Sequence, residues 1–119
     1  MLNKINKNIM ELIELIKSAF AYIKNLIVKV IDKVLNFSAD VVNWFRKLML
    51  DPKKDVPFIA DAKAFKEKLK NAPVKNVGIF RGVYDEQKDE VTVGEVVSAK
   101  DLDSDTRRIL GNNEVVVLN

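Results

Sequence analysis

Apolar residues along the first fifty positions recur at alternating steps of three and four. Leu2, Ile5, Ile9, Leu12, Ile16, Phe20, Ile23, Ile27, Val30, Val34, Phe37, Val41, Trp44 and Leu48 fall on one stripe when placed at the helical period. Lys4, Lys7, Glu11, Glu14, Lys29, Asp32, Lys33, Asp40 and Lys47 keep to the other side and leave an uncharged arc of roughly 140°. The first proline is Pro52 and the first glycine Gly78. The pattern predicts one long amphipathic helix over residues 1–51, with a bend near Ser38, where Ser38 or Asn36 offers a cap. Asp51-Pro52 ends it, because the residue before proline is pushed out of the helical region.

A polar linker, DPKKDVP, follows, and then a short second helix from Pro57 to Asn71 with Phe58, Ala62, Phe65 and Leu69 inward. From residue 77 the period changes to two and β-branched residues dominate. NVGIFRGVYD and DEVTVGEVV predict a hairpin around DEQKD. SAKDLDSDTRRILG predicts a short helix with Ser98, Asp101 or Asp103 as cap, Leu102, Thr106 and Ile109 inward, and Gly111 as stop. EVVVLN predicts a last strand, covered on both faces. The expected class is α+β: a long assembly helix (1–51), a linker with a basic helix (52–76) and a small ββαβ mixed-sheet unit (77–119).

A helix of that length would extend for roughly 70 Å, whereas a compact chain of this size has a radius of gyration of about 13–14 Å. Its stripe would therefore need a partner. Two seven-residue columns run side by side, one through Ile9, Ile16, Ile23, Val30, Phe37 and Trp44 and the other through Phe20, Ile27, Val34, Val41 and Leu48. Together they are too broad for a two-stranded coiled coil and suit a bundle or a groove. These eleven residues are the expected contact surface for other protein subunits, in a homo- or hetero-oligomer. A transmembrane span is not expected, since Lys17, Lys24, Lys29, Asp32 and Lys33 interrupt the apolar run. The alternative is a membrane surface, which the basic polar face and the Trp44-Phe45 pair would suit.

Composition narrows this little. The 119 residues are 48% hydrophobic and 31% charged, an ordinary globular balance for one domain. Cysteine and histidine are both absent, which removes disulfides, thiolate chemistry, the commonest general base and the commonest transition-metal ligand. Through Asn76 there are 15 Lys/Arg against 8 Asp/Glu, and from Val77 onward 5 against 9. A basic first part thus precedes an acidic second part, which suggests an anionic partner or head-to-tail contact between copies. Glu11 and Glu14 interrupt what would be the apolar core of a secretory signal, so the expected location is the cytoplasm or a particle assembled there.

Candidate chemistry is sparse. Lys63, Lys66 and Lys70 share a face of the second helix and form a candidate anion-contacting patch, the basis of a nucleic-acid-binding alternative. No aromatic residues are interleaved for base stacking, and a solvated helix face accounts for the lysines more simply. Asp85 to Glu90 gathers carboxylates but lacks the spacing of a calcium loop and sits where a turn is needed. Gly78 and Gly82 are expected to relieve crowding beside Phe80 and Tyr84. Arg81, amid apolar residues, is expected either to pair with Glu95 across the hairpin or to reach a partner. No nucleophile–base pair, phosphate loop or dinucleotide fingerprint is present, so no catalytic residue, cofactor, metal or small-molecule substrate is expected. The expected role is a non-enzymatic structural or assembly protein. The richness in Lys, Asn and Ile would suit an AT-rich bacterial or phage genome and a virion or large-machine component.

Overall fold

The computed structural model describes residues 9–23, 27–61 and 77–118. Helix α1 (Ile9–Phe20) is followed by the short strands β1 (Val28–Val30) and β2 (Val34–Leu35). A π-helical turn (Phe37–Val42) runs directly into α2 (Asn43–Lys47), and β3 (Asp55–Asp61) follows. The rest comprises β4 (Val77–Asp85), β5 (Glu90–Ala99), β6 (Asp101–Leu102), α3 (Ser104–Leu110) and β7 (Val115–Val117). The protein is a mixed α+β fold with a mixed sheet.

The single long helix does not form. α1 ends after 12 residues at Phe20, and Val28–Val30 pairs as a strand with Val96–Ser98. The stripe is really two amphipathic pieces joined by a β-branched stretch, Ile27-Val28-Lys29-Val30-Ile31, whose side chains fit a pleated surface better than a helix. The two pieces cover opposite faces of one sheet. The largest dimension of the protein is 42 Å, too short for the straight helix. The expected second helix is likewise corrected at its start: Pro57 to Asp61 belongs to β3, and residues 62–76 lie outside the described residues.

The main sheet has the order β1-β5-β4-β3-β7, and β2 and β6 form a separate parallel pair. The hairpin forms around the Asp85–Glu90 turn, with Val77 opposite Ala99. The ββαβ stretch is not a unit of its own, because β7 pairs with β3 rather than with the hairpin. β3 tolerates Pro57 because its backbone groups face away from β4, at the very end of the β7 pairing, where the Leu118 N–H donates to the Pro57 carbonyl at 2.8 Å.

Two cores flank the sheet. On one face, Leu12, Ile16 and Phe20 of α1 pack on Phe58, Ala60, Phe80, Tyr84 and Val96. On the other, Leu35, Val41, Phe45 and Leu110 pack on Ile59, Ile79, Val83 and Val97. The result is three layers around a sheet buried on both faces. β7 serves both, with Val115 and Val117 on the α1 side and Val116 on the other. Gly82 and Gly94 oppose each other across β4 and β5, and the Phe80 ring lies over them: a Cβ at Gly82 would fall 2.4 Å from Phe80 Cε2, and one at Gly94 2.1 Å from Cζ.

Capping residues fix the second layer. Asn36 accepts from the Ala39 N–H at 2.8 Å and starts the π-helical turn, while Ser38 lies inside it. Asp103 caps α3 through the Thr106 N–H at 2.9 Å and also accepts the Phe37 N–H at 2.9 Å, so one carboxylate ties α3 to the turn. The Thr106 hydroxyl, together with these two N–H groups, outweighs burial and holds Asp103 below the usual carboxylate range.

Candidate interaction edge

β1 forms one end of the main sheet and has no strand on its outer side among the described residues. Val28 packs against the first core, but Val30 is 70% exposed and Ile27, just before the strand, 66%. β1 runs along only Val96–Ser98 of β5, so Glu90–Glu95 of β5 also lacks an outer neighbour among the described residues. Val93 on this stretch is 41% exposed. The register between β4 and β5 shifts between Val83 and Tyr84, which leaves Thr92 as an extra residue and adds a local bend to that half of the edge.

The eleven expected contact residues thus divide. Ile16, Phe20 and Val41 are buried in the protein's own cores, Ile23 packs against the first core, and Phe37, Trp44 and Leu48 pack against the second. Ile9 is half exposed on α1, Val34 is half exposed on β2 in the separate parallel pair, and only Ile27 and Val30 lie at the edge of the main sheet. Phe45 is buried, and Trp44 stacks on Arg81 at 4.5 Å from ring centroid to guanidinium. Lys63, Lys66 and Lys70 lie outside the described residues. Among the described residues, no helix is long and apolar enough to cross a membrane, and no group of three or more His, Cys, Asp or Glu side chains is placed to hold a metal ion.

Behind the edge, the sheet carries a buried charged centre. Arg81, 4% exposed, lies directly opposite Glu95 and donates to its Oε2 at 2.5 Å. Of the two expectations for Arg81, the cross-hairpin pair is the one that forms. A second guanidinium N–H donates to the Asp40 carbonyl, so Arg81 anchors the π-helical turn to the sheet from below. Burial works against ionisation of the Asp40 carboxyl, but the Asn36 N–H and the Lys33 ammonium outweigh it and lower its pKa. Glu95 is held in place at the inner end of the unpaired half of β5.

At the far end of the sheet, Asp55 and Asp85 are register partners, and Lys54 Nζ bridges them at 3.3 Å to each. Asp85 also caps the hairpin turn: the Lys88 and Gln87 N–H groups, helped by Lys54, outweigh burial and lower its pKa. Tyr84 donates its hydroxyl to Asp89; burial first, then this bond and the nearby carboxylates, push its pKa well above the usual phenol range. These groups close a turn, and each polar atom named is engaged within the fold.

Comparison with protein-family models, with curated proteins and with solved structures finds no match to this chain.

Proposed function

We propose that this protein is a non-enzymatic assembly module that takes another polypeptide onto the β1 side of its sheet. The observation that carries this reading is the coincidence of exposed apolar side chains with an edge unpaired among the described residues, at Ile27 and Val30 of β1 and at Val93 of β5. An open edge offers a row of backbone donors and acceptors, and natural folds usually blunt such edges with charge, proline or cover. Here one lysine, Lys29, is the only charge on β1. An added strand would satisfy the backbone groups while burying the valines and isoleucine, each contributing on the order of 1.5–3 kcal/mol when fully covered.

This moves the expected assembly role from a helix stripe to a sheet edge, and most of the stripe serves the protein's own core. Hydrogen exchange of the full chain tests it. The Val28 and Val30 amides should slow as the concentration of the chain itself, or of an added extended peptide alternating valine and glutamate, is raised. Val30→Lys should remove that protection. Fast exchange at both amides under every condition would overturn the reading.

A further inference from the structure

The strap of chain from Ile27 to Leu35 runs alongside Val96–Leu102, first as β1 on β5 and then as β2 on β6. Its two halves do not keep one register. Val30 lies opposite Ser98 and Val34 opposite Asp101, four steps along the strap against three along its neighbour. The extra residue falls at the bend Asp32-Lys33, whose side chains are 90% and 54% exposed. An extra residue disrupts the ladder where it sits, so the two halves are held separately. We propose that the β1 half, Ile27–Ile31, lifts off β5 as a unit, pivoting at Asp32-Lys33, while the β2 half and the sheet stay folded. This goes beyond the reading of the edge as a binding surface and does not rest on it.

The two halves are anchored unequally. No residue of the β1 half is buried: Val28 and Ile31 are half-buried, against the first and second cores, and Ile27, Lys29 and Val30 are exposed. Its ladder is parallel, and parallel pairing is slightly less stable per residue than antiparallel. In the β2 half, Leu35 is fully buried in the second core, and its carbonyl accepts the Asp103 N–H at 3.0 Å. Around it, the Asp40 carboxylate accepts the Asn36 N–H at 2.8 Å and the Lys33 ammonium at 3.0 Å. Asp103 accepts the Phe37 N–H at 2.9 Å. Local opening begins where few apolar contacts are buried, so Ile27–Ile31 parts first and Lys33–Phe37 stays.

The backbone of β5 tells the two halves apart. The Val96 N–H donates to the Ile27 carbonyl and the Ile31 N–H to the Ser98 carbonyl, each at 2.8 Å. Val96 and Ser98 therefore turn their backbone groups toward β1, and Val97 between them turns its own toward β4, opposite Ile79. With β1 seated, the outermost backbone here among the described residues is that of Val28 and Val30. With β1 lifted it is that of Val96 and Ser98, about 5 Å further in. The strap thus decides which strand the sheet presents along this stretch.

Native-state hydrogen exchange of the full chain, in urea below the unfolding transition, tests this. The Ile31, Val96 and Ser98 amides should exchange together, about a hundredfold faster than those of Val97 and Asp103 after correction for intrinsic rates. Their exchange should also depend far less on urea, because lifting exposes little surface. A second measurement locks the strap. The chain has no cysteine, and Val30→Cys with Ser98→Cys puts one thiol on each of two register partners, about 5 Å apart and within reach of a disulfide. Oxidation should slow Val96 exchange to the rate of Val97, and reduction should restore it. Val96 exchanging with the same rate and urea dependence as Val97 overturns the proposal, as does early exchange that the disulfide leaves unchanged. Asp103 exchanging in step with Val96 overturns the pivot, since the whole strap would then leave together.

Discussion

Arg81 joins three structures through one side chain: Glu95 on the neighbouring strand, the Asp40 carbonyl in the π-helical turn and the Trp44 ring above. Removing one partner of a buried ion pair leaves the other uncompensated, whereas removing both can be nearly neutral. Arg81→Ala should therefore lower unfolding free energy by about 3 kcal/mol, the lower end for such pairs because Glu95 keeps some water contact. Arg81→Leu with Glu95→Leu should cost less than either single change. Trp44 is the only tryptophan, so its fluorescence through a urea titration reads both variants at the affected place. On the opposite face, Gly94→Ala puts a methyl 2.1 Å from the Phe80 ring, and such overpacking should cost about 1–3 kcal/mol by the same titration.

At the scale of elements, the two amphipathic pieces should behave as core, not as interface. Ile16 is fully buried on the inward face of α1, and Ile16→Ala should cost about 2–5 kcal/mol in the isolated chain, independent of protein concentration. An interface residue would show its cost only where copies associate. Asp103→Ala should cost about 1–2 kcal/mol, near the upper end for a cap, because it also releases the Phe37 N–H. Thermal unfolding checks both. The hairpin and the body of α3 were legible because each signal was local, alternation and a turn for one, Asp103 and Gly111 for the other, but the stretch expected to open that helix is strand: Ser98–Ala99 ends β5 and Asp101–Leu102 is β6. The Arg81–Glu95 pair was one of two alternatives open from the sequence, and the hairpin register decides for it. The N-terminal half was not legible for a particular reason. Ile27, Val30 and Val34 satisfy the helical spacing, while Val28, Val30 and Val34 satisfy the strand period with Lys29 and Lys33 between them. Pairing with β5, nearly seventy positions away, decides between the two, and no local pattern contains that partner. β3 was misread similarly, since Pro57 suits a helix start as well as the end of a pairing. The sheet edge could be seen only once the strand order was known.

For the molecule as a whole, acid is the expected weak point. Asp40, Asp85, Asp101 and Asp103 all ionise more readily in the folded chain than usual, and the Leu102 N–H followed by Arg107 does this for Asp101. Each binds fewer protons folded than unfolded. Their stabilisation is thus complete above the ordinary carboxylate pKa of about 4 and is lost as pH falls through the lowered values. The thermal midpoint should be nearly flat from neutral pH to about pH 5 and drop steeply below pH 4. Asp85→Asn and Asp103→Asn should start lower and show a shallower acid decline.

The strand order also has a consequence for how the chain is made. β4 and β5, on which both outer layers rest, come from residues 77–99, and β1 waits for Val96–Ser98 to arrive. During synthesis on the ribosome, α1 and the π-helical turn emerge with no sheet to cover, and their apolar faces stay open until residues 77–99 have followed. β3 then waits longer still for β7. Nascent chains arrested before residue 77 should be degraded readily by protease, and those released past Leu118 should resist it. A protein so arranged acquires its shape almost all at once, only after residue 118 has emerged, and depends until then on whatever shields a growing chain.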